Sequence, residues 1–105
     1  MDKALIGTWA LKRFTLTSDN GDDVLLPFGE KPSGQLIYTE DGFMSVALHT
    51  SEREDFSSDD ILSGSEQEFV LAMKTYSSYA GRVVVKKKGK LQHVIEHSRF
   101  PNWVG

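Results

Sequence analysis

The stretch Leu5-Ile6-Gly7-Thr8-Trp9-Ala10-Leu11 sets the phase of the first strand. Side chains on a strand alternate between its two faces, so Trp9 and Leu11 share one face. Phe14 and Leu16 also share a face, but they are out of phase with the first pair. One regular strand cannot bury both pairs. A bulge or sharp coil near Lys12-Arg13 reconciles them, and this is how a long strand follows a curved wall. The alternative is a regular strand that leaves one pair exposed. Ahead of Gly7, Ala4 to Ile6 reads as a single helical turn.

Outward from this stretch the chain alternates turn signals with short apolar runs. Ser18-Asp19-Asn20-Gly21-Asp22 is a turn, since Asn-Gly supplies the left-handed conformations a tight hairpin needs. Asp23 to Leu26 is a short return strand, and Pro27 to Gly34 is a rigid loop. Gln35 to Thr39, the turn Glu40-Asp41-Gly42 and Phe43 to His49 form a second hairpin. Thr50 to Gly64 is polar and acidic, anchored only by Phe56, Ile61 and Leu62, and reads as an irregular loop. Ser65 followed three residues later by Glu68 is a capping box. Phe69, Ala72, Met73, Tyr76, Tyr79 and Ala80 then recur at helical spacing. The spacing predicts an α-helix over residues 66–80, closed by Gly81 as a left-handed cap. Arg82 to Lys87, a turn at Lys88-Gly89-Lys90, and Leu91 to Phe100 form the last hairpin.

The composition suits one small globular domain spanning residues 1–105. Hydrophobic residues make up 39% of the chain and charged residues 26%, enough for one modest core. A net charge of -3 disfavours nucleic acid as a partner. The absence of cysteine removes disulfides and thiolate metal sites and suits a reducing compartment. The opening MDKALIGTWA holds no long apolar run of the kind a signal peptide carries. No stretch approaches the ~20 apolar residues that span a bilayer. A cytoplasmic protein without membrane contact is the expectation.

Several blocks occur in a telling order. Gly7-Thr8-Trp9 is followed by Pro27-Phe28-Gly29 and Pro32-Ser33-Gly34. Leu36-Ile37-Tyr38-Thr39 runs into Asp41-Gly42-Phe43-Met44-Ser45. Tyr79-Ala80-Gly81-Arg82 and Phe100-Pro101-Asn102-Trp103-Val104-Gly105 complete the set. In this order they resemble the lipocalin-like domain family, in its cytoplasmic bacterial and fungal branch, over essentially the whole chain. The Tyr-Thr-x-Asp-Gly-x-Met-Ser block and Phe-Pro-Asn-Trp are its most specific parts. The resemblance implies a mainly β, antiparallel lipocalin-like barrel. It also implies a helix at the barrel's mouth or side and an interior able to hold a small apolar molecule. It implies no particular reaction. Members of the family usually continue past Pro-Asn-Trp for several strands, so the resemblance marks this chain as truncated at its C-terminal side.

About six strands, two of them short, are legible here, whereas a closed barrel around a small ligand has about eight. A partial barrel uncovers its inner wall. Five large apolar side chains losing cover cost on the order of 7–15 kcal/mol. That matches the ~5–15 kcal/mol that holds a whole domain together. Self-association is therefore expected, a homodimer first, by sheet stacking or strand addition. The alternative is a smaller core closed around Trp9, Phe69 and Trp103.

His93 and His97 lie four apart on the last expected strand, on one face with Leu91 and Ile95 and about 13 Å apart. That separation excludes a shared metal ion, whose ligands sit ~2.0–2.1 Å away. No metal or other cofactor is expected. Either histidine is a hydrogen-bonded wall residue, or it is a polar anchor or acid–base group. Tyr38, Tyr76 and Tyr79 are amphipathic core-edge residues with hydroxyls that a ligand could use. No Gly-x-Ser-x-Gly elbow is present. The basic run Lys86 to Lys90 reads as a solvated hairpin tip.

The leading expectation is a small apolar-molecule binding protein. Its pocket would lie between the helix face (Phe69, Met73, Tyr76) and the sheet (Trp9, Tyr38, Met44, His93, Ile95), and Trp103 is a further candidate ligand-binding residue. The second is an isomerase or cyclase of small-molecule biosynthesis, with His93 or His97 and a tyrosine as the acid–base pair. The third is a non-binding oligomerisation module.

Overall fold

The computed structural model describes residues 3–17, 24–87 and 90–105. A 3-10 turn at Lys3–Leu5 leads into β1 (Gly7–Ala10). The strand then breaks. Residues 11–15 are coil, and β2 (Leu16–Thr17) pairs with β3 (Val24–Leu25) in a separate two-stranded ladder. The phase conflict between Trp9/Leu11 and Phe14/Leu16 is thus resolved by a coil at Lys12-Arg13, and Leu11 and Phe14 both pack against the core. The first expected strand has become two.

The main sheet holds β4 (Ser33–Tyr38), β5 (Phe43–His49), β6 (Tyr76–Lys87) and β7 (Lys90–Ser98) in the antiparallel order β1-β4-β5-β6-β7. The β4–β5 hairpin turns on Gly42, whose φ of 89° lies in the left-handed region that a Cβ disfavours. The turn expected at residues 18–22 lies outside the described residues, as do residues 88 and 89 of the turn expected at 88–90, whose Lys90 instead opens β7.

The helix α1 covers Glu66–Lys74, not residues 66–80. Its start is as expected. Ser65 Oγ accepts from the Glu68 N–H at 3.1 Å, and the Ser65 N–H donates to Glu68 Oε1 at 3.0 Å. Its end comes six residues early, and two groups close it. Thr75 Oγ1 donates to the Leu71 carbonyl at 2.8 Å, and Arg53 Nη2 donates to the Ala72 carbonyl at 3.1 Å. Tyr76 to Arg82 then satisfy their backbone groups against β5 rather than in a further helical turn. The tyrosines carry both periods. Their spacing fits a helix, but Ser77, Tyr79, Gly81 and Val83 also alternate as the inner face of a strand. Gly81 is therefore no helix cap. It sits buried within β6, where a Cβ would come within 1.9 Å of the Val94 carbonyl oxygen.

Cross-strand rows define the inner face. One runs Gly7, Tyr38, Met44, Gly81, Ile95; the next runs Trp9, Leu36, Val46, Tyr79, Ser98. The core is Phe28, Tyr38, Met44, Val46 and Leu48, with Leu5, Leu36, Val83 and Leu91 packed around it. It does not close around Trp9 and Phe69, which are 44% and 43% exposed, because neither reaches the Met44–Leu48 ridge. Among the described residues, one curved five-stranded sheet leaves part of its wall open. The chain's radius of gyration is 15.7 Å, against about 13 Å for a compact chain of this length.

Candidate functional site

The bulge in β7 organises the site. Gly81 pairs with Ile95 and Ala80 with His97, so Glu96 is the extra residue between them. Its carboxylate meets Arg82 at 3.4 Å on the outer side. Leu91, His93 and Ile95 thus stay with the inner rows, while His97 passes to the outer face beside Ala80. The expectation that His93 and His97 face the same way fails because it assumed a regular strand. Across the bulge the alternation restarts.

On the inner face His93 joins two tyrosines. Its Nε2 lies 2.7 Å from Tyr38 Oη, and its Nδ1 lies 3.2 Å from Tyr79 Oη. Three strands supply the three side chains: β4 gives Tyr38, β6 gives Tyr79 and β7 gives His93. Burial depresses the His93 pKa, because desolvation disfavours its charged form. Burial raises the pKa of Tyr38; it also raises that of Tyr79, to which the neighbouring Tyr38 adds. The cluster is therefore uncharged near neutrality.

Tyr79 links this cluster to an open apolar hollow of about 260 Å³, lined by Phe14, Tyr79, Ile95 and Trp103. The Trp103 ring stands edge-on to Tyr79 at 5.9 Å and to Phe100 at 5.5 Å, presented by a 3-10 turn at Pro101–Trp103. The hollow is just below the ~300–1,000 Å³ typical of small-molecule sites.

The structure brings together Tyr38, His93, Ile95 and Trp103 of the expected binding residues, with Met44 buried in the row beside Tyr38. Trp9 is on the same face but turns its indole N–H to the Leu5 carbonyl at 2.9 Å. Phe69 packs edge-on against Phe56 over Gly64, and Met73 is half exposed. Tyr76 lies on the outer face, stacked on His49 with the Arg53 guanidinium 5.4 Å from its ring. These three helix-side residues stand apart from the hollow. Of the other two lining residues, Phe14 is absent from the expected set, and Tyr79 is expected as a possible hydroxyl donor but on the helix rather than in the pocket. Phe14 is obscured by the break in its strand, and Tyr79 by its helical spacing. Among the described residues no three His, Asp or Glu side chains converge as metal ligands would. No described helix is long and apolar enough to cross a membrane.

A curved antiparallel sheet with an apolar hollow on its inner wall is a lipocalin-type architecture, and the chain belongs to the lipocalin-like domain family, which it matches over residues 6–105. It is also similar to the 4'-hydroxy-3'-methoxypropiophenone carrier protein ppsC of Aspergillus oryzae, at 34% identity over 53 residues. That match covers 44% of this chain and 48% of the relative, about half of its length. No solved structure matches.

Proposed function

We propose that this chain binds and carries a small, largely apolar aromatic molecule in the hollow beside Trp103. The observation that carries the reading is the join between the uncharged Tyr38–His93–Tyr79 cluster and an apolar, aromatic-edged hollow. Aromatic walls favour a flat ligand through edge and stacking contacts. A few convergent polar groups then orient it. The relative named as the carrier of an aryl ketone supports this chemical class. Titration with 4'-hydroxy-3'-methoxypropiophenone, read by tryptophan fluorescence, is expected to saturate, and Trp103→Phe is expected to remove most of the signal change. Fluorescence that does not saturate refutes the reading.

The same cluster is where an isomerase or cyclase would find its acid–base pair, and that alternative requires a turnover lost on His93→Ala. A second reading concerns assembly, and the exposed area favours it. The accessible surface is 8039 Å², against about 5,900 Å² for a compact monomer of this mass. The excess is larger than the ~800 Å² each partner contributes to a standard interface. We propose that a second copy covers part of the open wall. Light scattering after size exclusion is expected to give a dimer mass, and a clean monomer at micromolar concentration would refute it.

A further inference from the structure

We propose that the Tyr79 hydroxyl is the hydrogen-bond donor of the hollow, and that the hollow selects uncharged aromatic ligands bearing a carbonyl-type acceptor over hydrocarbons of the same shape. This inference rests on the carrier reading above. It comes from counting protons. A neutral imidazole has one N–H and one bare nitrogen, so it cannot treat its two tyrosine partners alike. One hydroxyl donates to the bare nitrogen; the other accepts from the N–H and keeps its own proton for use elsewhere.

Two observations assign the roles. Tyr38 is only 8% exposed, and His93 is the one partner of its hydroxyl among the described residues. Its proton has nowhere else to go, and a buried donor left unmade is costly. The contact lengths agree. The 2.7 Å Tyr38 Oη–Nε2 distance suits an O–H donor, and the 3.2 Å Nδ1–Tyr79 Oη distance suits a longer N–H donor. Nδ1 thus carries the proton and Tyr79 Oη accepts. Protonating His93 would not change this for Tyr79, because Nδ1 would still donate. Tyr79 also lines the hollow with Phe14, Ile95 and Trp103; the Trp103 indole N–H is the other side-chain donor of that lining, and Trp103→Phe, which keeps the ketone preference if Tyr79 is the donor, separates the two. The free O–H of Tyr79 is the donor that a carbonyl placed between these rings would meet.

Two probes test this: 4'-hydroxy-3'-methoxypropiophenone and its analogue with the carbonyl reduced to a methylene. The wild-type protein is expected to bind the ketone on the order of 2- to 12-fold more tightly, the value of one net hydrogen bond. Tyr79→Phe is expected to erase that preference while still binding the methylene analogue, and Tyr38→Phe to reduce it, because without the Tyr38 hydroxyl the His93 proton can move to Nε2 and Tyr79 then donates to a bare Nδ1. An infrared band for the bound carbonyl, lowered in wild type relative to the ketone in an apolar solvent, reads the same bond with no substitution at all. Equal wild-type affinities, an unshifted carbonyl band, or a preference that survives Tyr79→Phe overturns the assignment of Tyr79 alone. A wild-type protein that binds neither probe overturns the carrier reading itself.

Discussion

Gly81→Ala tests whether β6 and the bulge of β7 are read correctly. The added methyl would stand 1.9 Å from the Val94 carbonyl oxygen, 2.9 Å from the Val94 carbonyl carbon and 3.0 Å from the Glu96 nitrogen. All three are backbone atoms, so no side-chain rotation relieves the clash, and β7 must move. Overpacking typically costs about 1–3 kcal/mol, and a clash with a fixed backbone belongs at the upper end. Losing one ladder hydrogen bond beside the bulge adds about 1 kcal/mol. The unfolded alanine chain has less entropy than the glycine chain, which offsets about 0.4–1 kcal/mol. The net is roughly 3 kcal/mol, and with about 4–8 °C per kcal/mol for a domain of this size it lowers Tm by over ten degrees. Gly42→Ala is the control. Nothing lies within 4 Å of its Cβ, so only the left-handed backbone, at about 1–2 kcal/mol, opposes it. Urea unfolding followed by circular dichroism should place Gly81→Ala well below Gly42→Ala in midpoint. If Gly81→Ala is the milder of the two, the buried strand position assigned to Gly81 is wrong.

Other outcomes rest on the same geometry. Burial holds the native His93 pKa below its ordinary 6.5, so the unfolded chain takes up that proton first, and stability present above pH 6.5 falls as pH drops toward the native value. The native Tyr38 and Tyr79 pKa values lie above 10.0, so their contribution is complete below pH 10 and is lost as pH rises through the native values. Urea midpoints across pH should therefore decline on both sides of a plateau, and His93→Gln should flatten the acid side. Ser65→Ala removes the acceptor of the capping box and should cost about 1 kcal/mol in the same unfolding assay. His97→Ala, on the outer face, should leave ketone affinity within about twofold, whereas His93→Ala should weaken it by more than that; equal effects would place both histidines on one face.

The parts legible in the sequence are those whose signals are local. The Asp41-Gly42 turn, the Ser65–Glu68 capping box and the break near Lys12-Arg13 each depend on a few adjacent residues. The end of α1 does not. Its closing groups include Arg53, twenty-two residues before Thr75 in the chain, and the backbone of β5 competes for Tyr76 onward. The bulge at Glu96 is equally hidden, since nothing in Ile95-Glu96-His97 differs in type from an ordinary strand. That one inserted residue decides which histidine belongs to the site. Tyr38, His93, Ile95 and Trp103 are foreseeable as inward aromatic and apolar residues of strands or of the Phe-Pro-Asn-Trp block. Their union with Tyr79 and Phe14 requires the strand order.

The segment between β5 and β6 has a consequence for how the chain can be extended. Both of its ends are tied. Arg53 holds Ala72 and Thr75, and the Ser57 N–H donates to Glu68 at 2.8 Å. Its tip is tied only to itself, by Leu62 and Ser63 donating to Asp60, and Ile61 and Leu62 are both 85% exposed. The closure entropy of a loop grows only with the logarithm of its length, about 0.6 kcal/mol for each doubling. A peptide inserted between Ile61 and Leu62 should leave the sheet's register and its unfolding midpoint nearly unchanged, as urea titration of the insertion variant would check. This tip is the natural point at which to graft a reporter or to open the chain for circular permutation.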